Sequence, residues 1–251
     1  MADFHQNGNI AQFHNLRTRS VEEMNYELET FAQNRKICLI LPSLFSELEG
    51  PALANIIEEL SKLRYLHRII IGLDRADETQ YRRARSFFEK LGQNHVVIWN
   101  DSPRMKAFDA RLAEHGLGPQ ELGKGKNVWT SMGYMIACAD TAVMALHDCD
   151  ILTYKSDMLS RLLYPVANPS FPYQLSKGFY ARVGNGKLNG RVSRLLVSPL
   201  LISLKRVIGD RDYLDYLRSF RYPLSGEFAL RTSVLPDLRI PSDWGLEVGV
   251  L

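Results

Sequence analysis

Two aspartates one residue apart, Asp148 and Asp150, close the stretch TAVMALHDCD at positions 141–150. Carboxylate oxygens in such a pair suit Mg2+ or Mn2+, ions that bind through one or two carboxylates, a substrate diphosphate and water. Geometry makes the two acids unequal. Along an extended strand, residues two apart share a face but sit roughly 7 Å from one another, too far for one small cation to touch both. If the chain turns after the strand, one carboxylate ligates the ion while the other reaches it through water or holds a neighbouring hydroxyl. An Asp in this position can also simply cap a turn. The apolar residues before it read as a short buried strand, and the carboxyl ends of such strands are where open α/β sheets bind ligands.

Other residues could serve the same chemistry. The Gly-rich "LGKGKN" (122–127) reads as a flexible loop feeding a helix, leaving Lys124 and Lys126 free to meet anionic groups. It has neither the P-loop nor the G-x-G-x-x-G spacing. "PSLFSELEG" (42–50) places Glu47 and Glu49 at the end of an earlier strand. From Lys177 to Arg206 the basic residues are Lys177, Arg182, Lys187, Arg191, Arg194, Lys205 and Arg206, with no acid among them. Such a block is a solvated face or a site for phosphorylated ligands.

The elements that must position these residues can be read from periodicity. Residues 1–35 are an arm followed by a helix that opens on the Ser20-x-x-Glu23 capping box. Strands follow at 36–42, ended by Pro42, at 67–73, at 95–100 and at the Asp-x-Asp stretch. Helices are expected over 51–64, from the turn 74–77 to Leu91, over 103–115 and over 126–138. This alternation predicts an α/β fold with a parallel sheet and helices on both faces. Beyond Asp150 the rhythm changes: a helix near 156–164, a hairpin with a Gly/Asn turn within 170–192, and helices at 191–207 and 211–219. The expected organisation is one domain over 36–251, with 36–150 binding a nucleotide and 151–251 an acceptor.

The 251 residues suffice for a large hydrophobic core. Apolar residues at 45% and charged residues at 24% are those of a soluble globular protein. No apolar run approaches the roughly 20 residues of a membrane span, and the polar "MADFHQNGNIAQFHNLRTRS" has no signal-peptide core. A cytoplasmic protein with no membrane partner is therefore expected. Cys38, Cys138 and Cys149 lack CxxC spacing and read as reduced packing residues. A net charge of +3 without a nucleic-acid-binding motif argues against a nucleic-acid partner.

Taken together, the strand-Pro-loop with Glu, the Gly-Lys-Gly-Lys helix start and the strand ending in Asp-x-Asp resemble the GT-A type, Rossmann-like nucleotide-diphospho-sugar transferase fold, whose sheet is mixed but mostly parallel. The segments "KGFYARVGNGKLNGRVSRLLVSPLL", "YPLSGEFALRTSVL" and "DWGLEVGVL" resemble those of the glucosyl-3-phosphoglycerate synthases and their mannosyl-transferring relatives. That resemblance, over roughly 36–251, implies a retaining transferase that moves glucose from UDP-, GDP- or ADP-glucose to 3-phosphoglycerate with Mg2+ or Mn2+. GDP-mannose as donor and glycerate as acceptor are the neighbouring alternatives, and a nucleotide-binding module without catalysis is the alternative of another class. A homodimer is also compatible with it.

Position by position, the resemblance implies that Pro42, Ser43, Leu44 and Glu47 hold the nucleoside, with Lys124 anchoring the donor. Asp74 or Asp77 would replace the acid that follows the second strand in many relatives, and Asp74 is assigned to the donor site. Asp148 would contact the ribose or the ion's water, and Asp150 would ligate the metal. Gly190, Arg191 and Ser193 match the acceptor segment, where Arg and a hydroxyl grip phosphate or carboxylate. Gly226, Glu227 and Glu247 would line the sugar and acceptor pocket, so Asp150, Glu227 and Glu247 form the catalytic set. A metal-binding His follows the Glu247 segment in the family, so the natural chain is expected to continue past Leu251. His147 is not promoted to that role on adjacency.

Overall fold

The structure is a computed structural model. It describes residues 10–13, 19–118, 121–180, 191–243 and 245–251, and the backbone alone at 183–184 and 187–188. In chain order the elements are α1 (Val21–Ala32), β1 (Ile37–Leu44), a 3-10 turn (Phe45–Glu49), α2 (Pro51–Ser61), β2 (Leu66–Asp74), α3 (Glu78–Phe88), β3 (His95–Trp99) and α4 (Pro103–Glu114). Then come α5 (Lys124–Cys138), β4 (Val143–Leu146), α6 (Ser156–Ala167), β5 (Leu175–Lys177), β6 (Val183–Gly184) and β7 (Lys187–Leu188). A π-helical turn (Ser193–Val197), α7 (Ser198–Ile208), α8 (Asp212–Ser219), β8 (Phe228–Arg231) and α9 (Leu246–Gly249) follow, with further short 3-10 turns at Glu89–Leu91 and Thr232–Asp237.

Six strands form one sheet in the order β3-β2-β1-β4-β8-β5. The first four are parallel, and β8 runs antiparallel between β4 and β5. The alternation of side chains along β1 splits the core in two. Ile37, Leu39 and Leu41 face the layer of α1, α2, α3 and α6, while Cys38 and Ile40 face α5 and residues from 235 to 250. Because both faces are covered, β1 reads as an unbroken apolar run, the signature of a central parallel strand. The first helix belongs to this core: Ser20 Oγ accepts the Glu23 N–H at 3.0 Å, and Met24 and Leu28 are buried. No helix among the described residues is long and apolar enough to cross a membrane.

Three features depart from the sequence reading. Pro42 does not end β1, which continues to Leu44 against β2. The Ile40 carbonyl accepts the His147 N–H, so the even-numbered groups of β1 face β4. Pairing with β4 stops at Leu146, so the N–H that Pro42 lacks falls where no strand needs it. The segment expected only to complete the chain supplies β8, whose Phe228, Ala229 and Leu230 are wholly buried and therefore show no alternation. Finally, α5 starts at Lys124 rather than 126. The expected hairpin is present as β6 paired with β7, Val183 opposite Leu188.

Candidate active site

The acids converge on one edge of the sheet because the topology sends their elements there. Parallel strands β1, β2 and β4 deliver the residues beyond their carboxyl ends, and antiparallel β8 delivers the residues before its amino end, with Phe228 opposite Leu146. Lys177, at the end of β5, pairs with Phe228 and so lies on the same edge.

After β4 the chain keeps its alternation for four residues. His147 and Cys149 turn into the core, Asp148 is half-buried and Asp150 is exposed. His147 meets the Tyr154 ring edge-on at 5.4 Å, and burial drives its pKa down to about 3, so it is a neutral packing residue. Beyond β1, the Glu47 carboxylate folds back to accept the Leu44 N–H at 2.9 Å. Burial raises its pKa, and the nearby charges of Asp150 and Asp148 add to the rise. Glu49 points outward to Arg83 at 3.3 Å. Pro42 and Ser43 are buried beside this turn.

Lys124 is the hub of the site. Its Nζ lies 2.6 Å from Asp148 Oδ1 and 3.0 Å from Glu247 Oε1, joining β4 to α9. Burial works against its charge, but the Asp148 and Glu247 carboxylates together more than offset this, and its pKa sits above the ordinary lysine value. The two glycines around it are needed for close approach. A Cβ on Gly125 would lie 1.8 Å from the Pro241 carbonyl oxygen, and one on Gly123 2.7 Å from Asp243 Oδ1. Lys126, expected to be free for anions, instead binds Asp109 at 2.5 Å. Gly226 is equally confined: a Cβ there would sit 2.4 Å from Asp148 Oδ2 and 2.9 Å from Lys124 Nζ. Next to it the buried Glu227 accepts the Ser225 hydroxyl at 2.8 Å, and burial, helped by the charge of Asp148, raises its pKa.

The sequence reading missed Lys177. Its Nζ donates to the Glu247 carbonyl, and burial lowers its pKa to about 8. The signal was its place in the acid-free stretch, but only the pairing of β5 with β8 brings it to this edge. Asp74, at the end of β2 and opposite Leu44, has one oxygen held by Asn100 Nδ2 at 2.7 Å, and burial raises its pKa. Asp77 is engaged as the N-cap of α3, accepting the Gln80 N–H at 2.8 Å.

Of the residues read as acceptor-binding, Gly226 lies within this cluster. Gly190 is outside the described residues. Arg191 is exposed in the helical turn before the π-turn, and the Ser193 Oγ is buried with no hydrogen-bond partner. No hydrogen bond or ion pair among the described residues joins either to the acids. An open depression of about 530 Å³ between Gly118, Trp129 and Ser242 contains none of the site's carboxylates.

Five carboxylates (Glu47, Asp148, Asp150, Glu227, Glu247) thus face two ammonium groups (Lys124, Lys177), a negative site of hard oxygen donors. Such a donor set fits Mg2+ or Mn2+ rather than a soft metal. Among the described residues no three His, Cys, Asp or Glu side chains are already gathered as a metal cage.

The chain matches no protein-family model. It is 47% identical over all 251 residues to the glucosyl-3-phosphoglycerate synthase of Persephonella marina, covering 62% of that protein. It is 38% identical over 233 residues to the synthase of Methanococcoides burtonii, covering 57% of it. Among solved structures, glucosyl-3-phosphoglycerate synthase from Mycobacterium tuberculosis with Mn2+, UDP-glucose and phosphoglyceric acid superimposes with a TM-score of 0.62 at 24% identity. That superposition covers 90% of this chain and 67% of the other, and places the fold with the GT-A type. A second structure of that enzyme, with Mn2+, UDP and glucosyl-3-phosphoglycerate, gives the same TM-score. The chain spans about three fifths of the length of the relatives it matches, and over that length it is a homologue of the glucosyl-3-phosphoglycerate synthases.

Proposed function

We propose that this chain carries the donor site and part of the acceptor site of a glucosyltransferase that moves glucose from a nucleotide diphosphate sugar to 3-phosphoglycerate with retention. The observation that carries the proposal is the meeting of Glu47, Asp148 and Asp150 with Lys124 at the carboxyl edge of β1 and β4, where open α/β sheets bind nucleotides. The relatives of the same name support the choice of reaction.

In this reading Pro42, Ser43, Leu44 and Asp74 border the nucleoside, and Asp150, with Asp148 directly or through water, holds Mg2+ or Mn2+. When bound, the ion neutralises charge that builds on the departing diphosphate. Lys124 and Lys177 supply fixed positive charge at the same edge, a preorganised contribution that needs no rearrangement during reaction. Glu227 and Glu247 border the sugar. Arg191 and the unpartnered hydroxyl of Ser193 suit an oxyanion of the acceptor, Arg by its paired N–H groups. Same-face attack, with the departing diphosphate taking the proton of the acceptor hydroxyl, accounts for retention without a carboxylate nucleophile.

The test is a panel of UDP-, GDP- and ADP-glucose and GDP-mannose against 3-phosphoglycerate and glycerate, with Mn2+ or with chelator. Metal-dependent glucosyl-3-phosphoglycerate with the configuration of the donor is the expected product. Nucleotide binding with no transfer to either acceptor would identify a non-catalytic binding module instead.

A further inference from the structure

Arg75 holds a backbone conformation that L side chains rarely adopt, φ 56°, on the turn that leaves β2. The turn does not need an arginine. Ala76 N–H donates to Asp101 Oδ2 at 3.1 Å, Trp99 Nε1 donates to the Ala76 carbonyl at 2.7 Å, and Asp77 and Gln80 cap one another at 2.8 Å. Trp99 is itself stacked on Tyr81 at 4.9 Å. These contacts fix the chain after Arg75, and the Asn100 N–H to the Leu73 carbonyl at 3.0 Å with Asn100 Nδ2 to Asp74 at 2.7 Å fixes it before; glycine would occupy the position without strain. The chain places there an exposed guanidinium with no hydrogen bond or ion pair among the described residues. Strain of this kind, held in place by its surroundings, is characteristic of ligand clamps.

Its position says which part of a ligand it meets. The metal-binding acids follow β4, and β2 lies two strands away across β1, about 10 Å at the usual strand spacing. A nucleotide with its diphosphate over β4 therefore presents its base towards the end of β2. There Asp74, oriented by Asn100, offers an acceptor, and the next residue in the chain, the exposed Arg75, carries donors. A lactam edge, N–H next to C=O, complements that pair. Uracil presents it at N3 and O4, and guanine at N1 and O6. Adenine presents the reverse, a lone pair at N1 and an amino donor, against Asp74 and Arg75.

We infer that Asp74 and Arg75 read the lactam edge of the donor's base, and that Arg75 selects uracil and guanine nucleotides over adenine nucleotides. The inference rests on the donor site proposed above. Calorimetric titration of the chain with UDP, GDP and ADP at saturating Mn2+ tests it. The wild-type chain binds UDP and GDP about 10- to 100-fold more tightly than ADP, the discrimination of one bidentate contact. Arg75→Gly removes the side chain while suiting the backbone, so the melting temperature holds or rises while UDP binding falls about 10-fold and ADP binding is unchanged. Arg75→Asn, which also tolerates this conformation, gives the same pattern. An unchanged UDP-to-ADP ratio in both variants overturns the role of Arg75. Equal wild-type affinity for all three overturns the reading of the base but leaves the donor site standing, and no binding of any of them overturns both.

Discussion

Gly226→Ala probes a position where the backbone is packed against both an acid and a lysine. The new Cβ would lie 2.4 Å from Asp148 Oδ2, about 1 Å inside ordinary carbon–oxygen contact, so either the carboxylate or the backbone must give way. If the carboxylate swings by that distance, its other oxygen leaves the 2.6 Å contact with Lys124 Nζ, and a charge-assisted hydrogen bond worth about 1.5–3 kcal/mol is lost. If the backbone moves, overpacking costs a comparable 1–3 kcal/mol, roughly. For a chain of this size either route lowers the melting temperature by about 3–10 °C. A misplacement of about 1 Å at a reacting centre costs transfer about 100-fold. The assays are a thermal melt, Mn2+ titration in the presence of UDP, and glucose transfer. A Gly226→Ala variant that melts, binds Mn2+ and transfers like wild type would refute the reasoning, because Asp148 would then be free to turn away without consequence.

Asp150→Asn should weaken Mn2+ binding in the presence of UDP by about 10-fold or more, with an unchanged melt, since Asp150 is exposed; retained affinity would remove it from the metal site. Lys177 titrates near 8 when folded against 10.5 for an ordinary lysine, so the folded state holds this proton less tightly, and stability is reduced below pH 8 and recovers as pH rises towards 10.5. Lys177→Met should therefore raise the melting temperature at pH 7 and flatten that recovery; a lower melt at pH 7 would mean that the bond to the Glu247 carbonyl outweighs burial. Gly125→Ala collides with the Pro241 carbonyl and should loosen residues 241–243, seen as lost amide protection there, whereas Gly133→Ala on the same helix meets open space and should stabilise by about 0.5–1 kcal/mol.

What the sequence disclosed and what it hid follow from the range of the interactions involved. The first four strands and their helices were legible because their apolar periods are local and their ends carry turn and cap residues. Pro42 misled because a proline interrupts a strand only on the side where a partner needs its N–H, and a sequence does not say on which side pairing has stopped. Strand β8 was hidden by complete burial on both faces, which erases alternation. The acids after β1 and β4 were legible from their place at strand ends. The part played by Lys177 was not, since it depends on β8 inserting beside β4, between segments more than eighty residues apart.

The Gly-Lys-Gly-Lys stretch shows how one motif can carry two separate demands. Read locally, its glycines confer flexibility and its lysines offer charge to an anion. In the fold the glycines are there because the start of α5 lies against residues 241–243, where Gly125 would clash with a carbonyl oxygen if it bore a side chain, and the Lys126 N–H donates to the Ser242 carbonyl at 2.7 Å. This contact brings Glu247 to the sheet edge. Lys124 then grips its carboxylate and Lys177 its carbonyl, so residue 247 is held at two points from two different elements. The same Lys124 neutralises Asp148. A ligand that draws Lys124 away from Asp148 thereby alters the charge facing Glu247 as well, so the acid after β4 and the acid on α9 are electrostatically coupled through a single ammonium group. A double-mutant cycle on Asp148→Asn and Glu247→Gln should accordingly give a non-additive effect on UDP affinity, and additivity would mean that the two acids answer to the ligand separately.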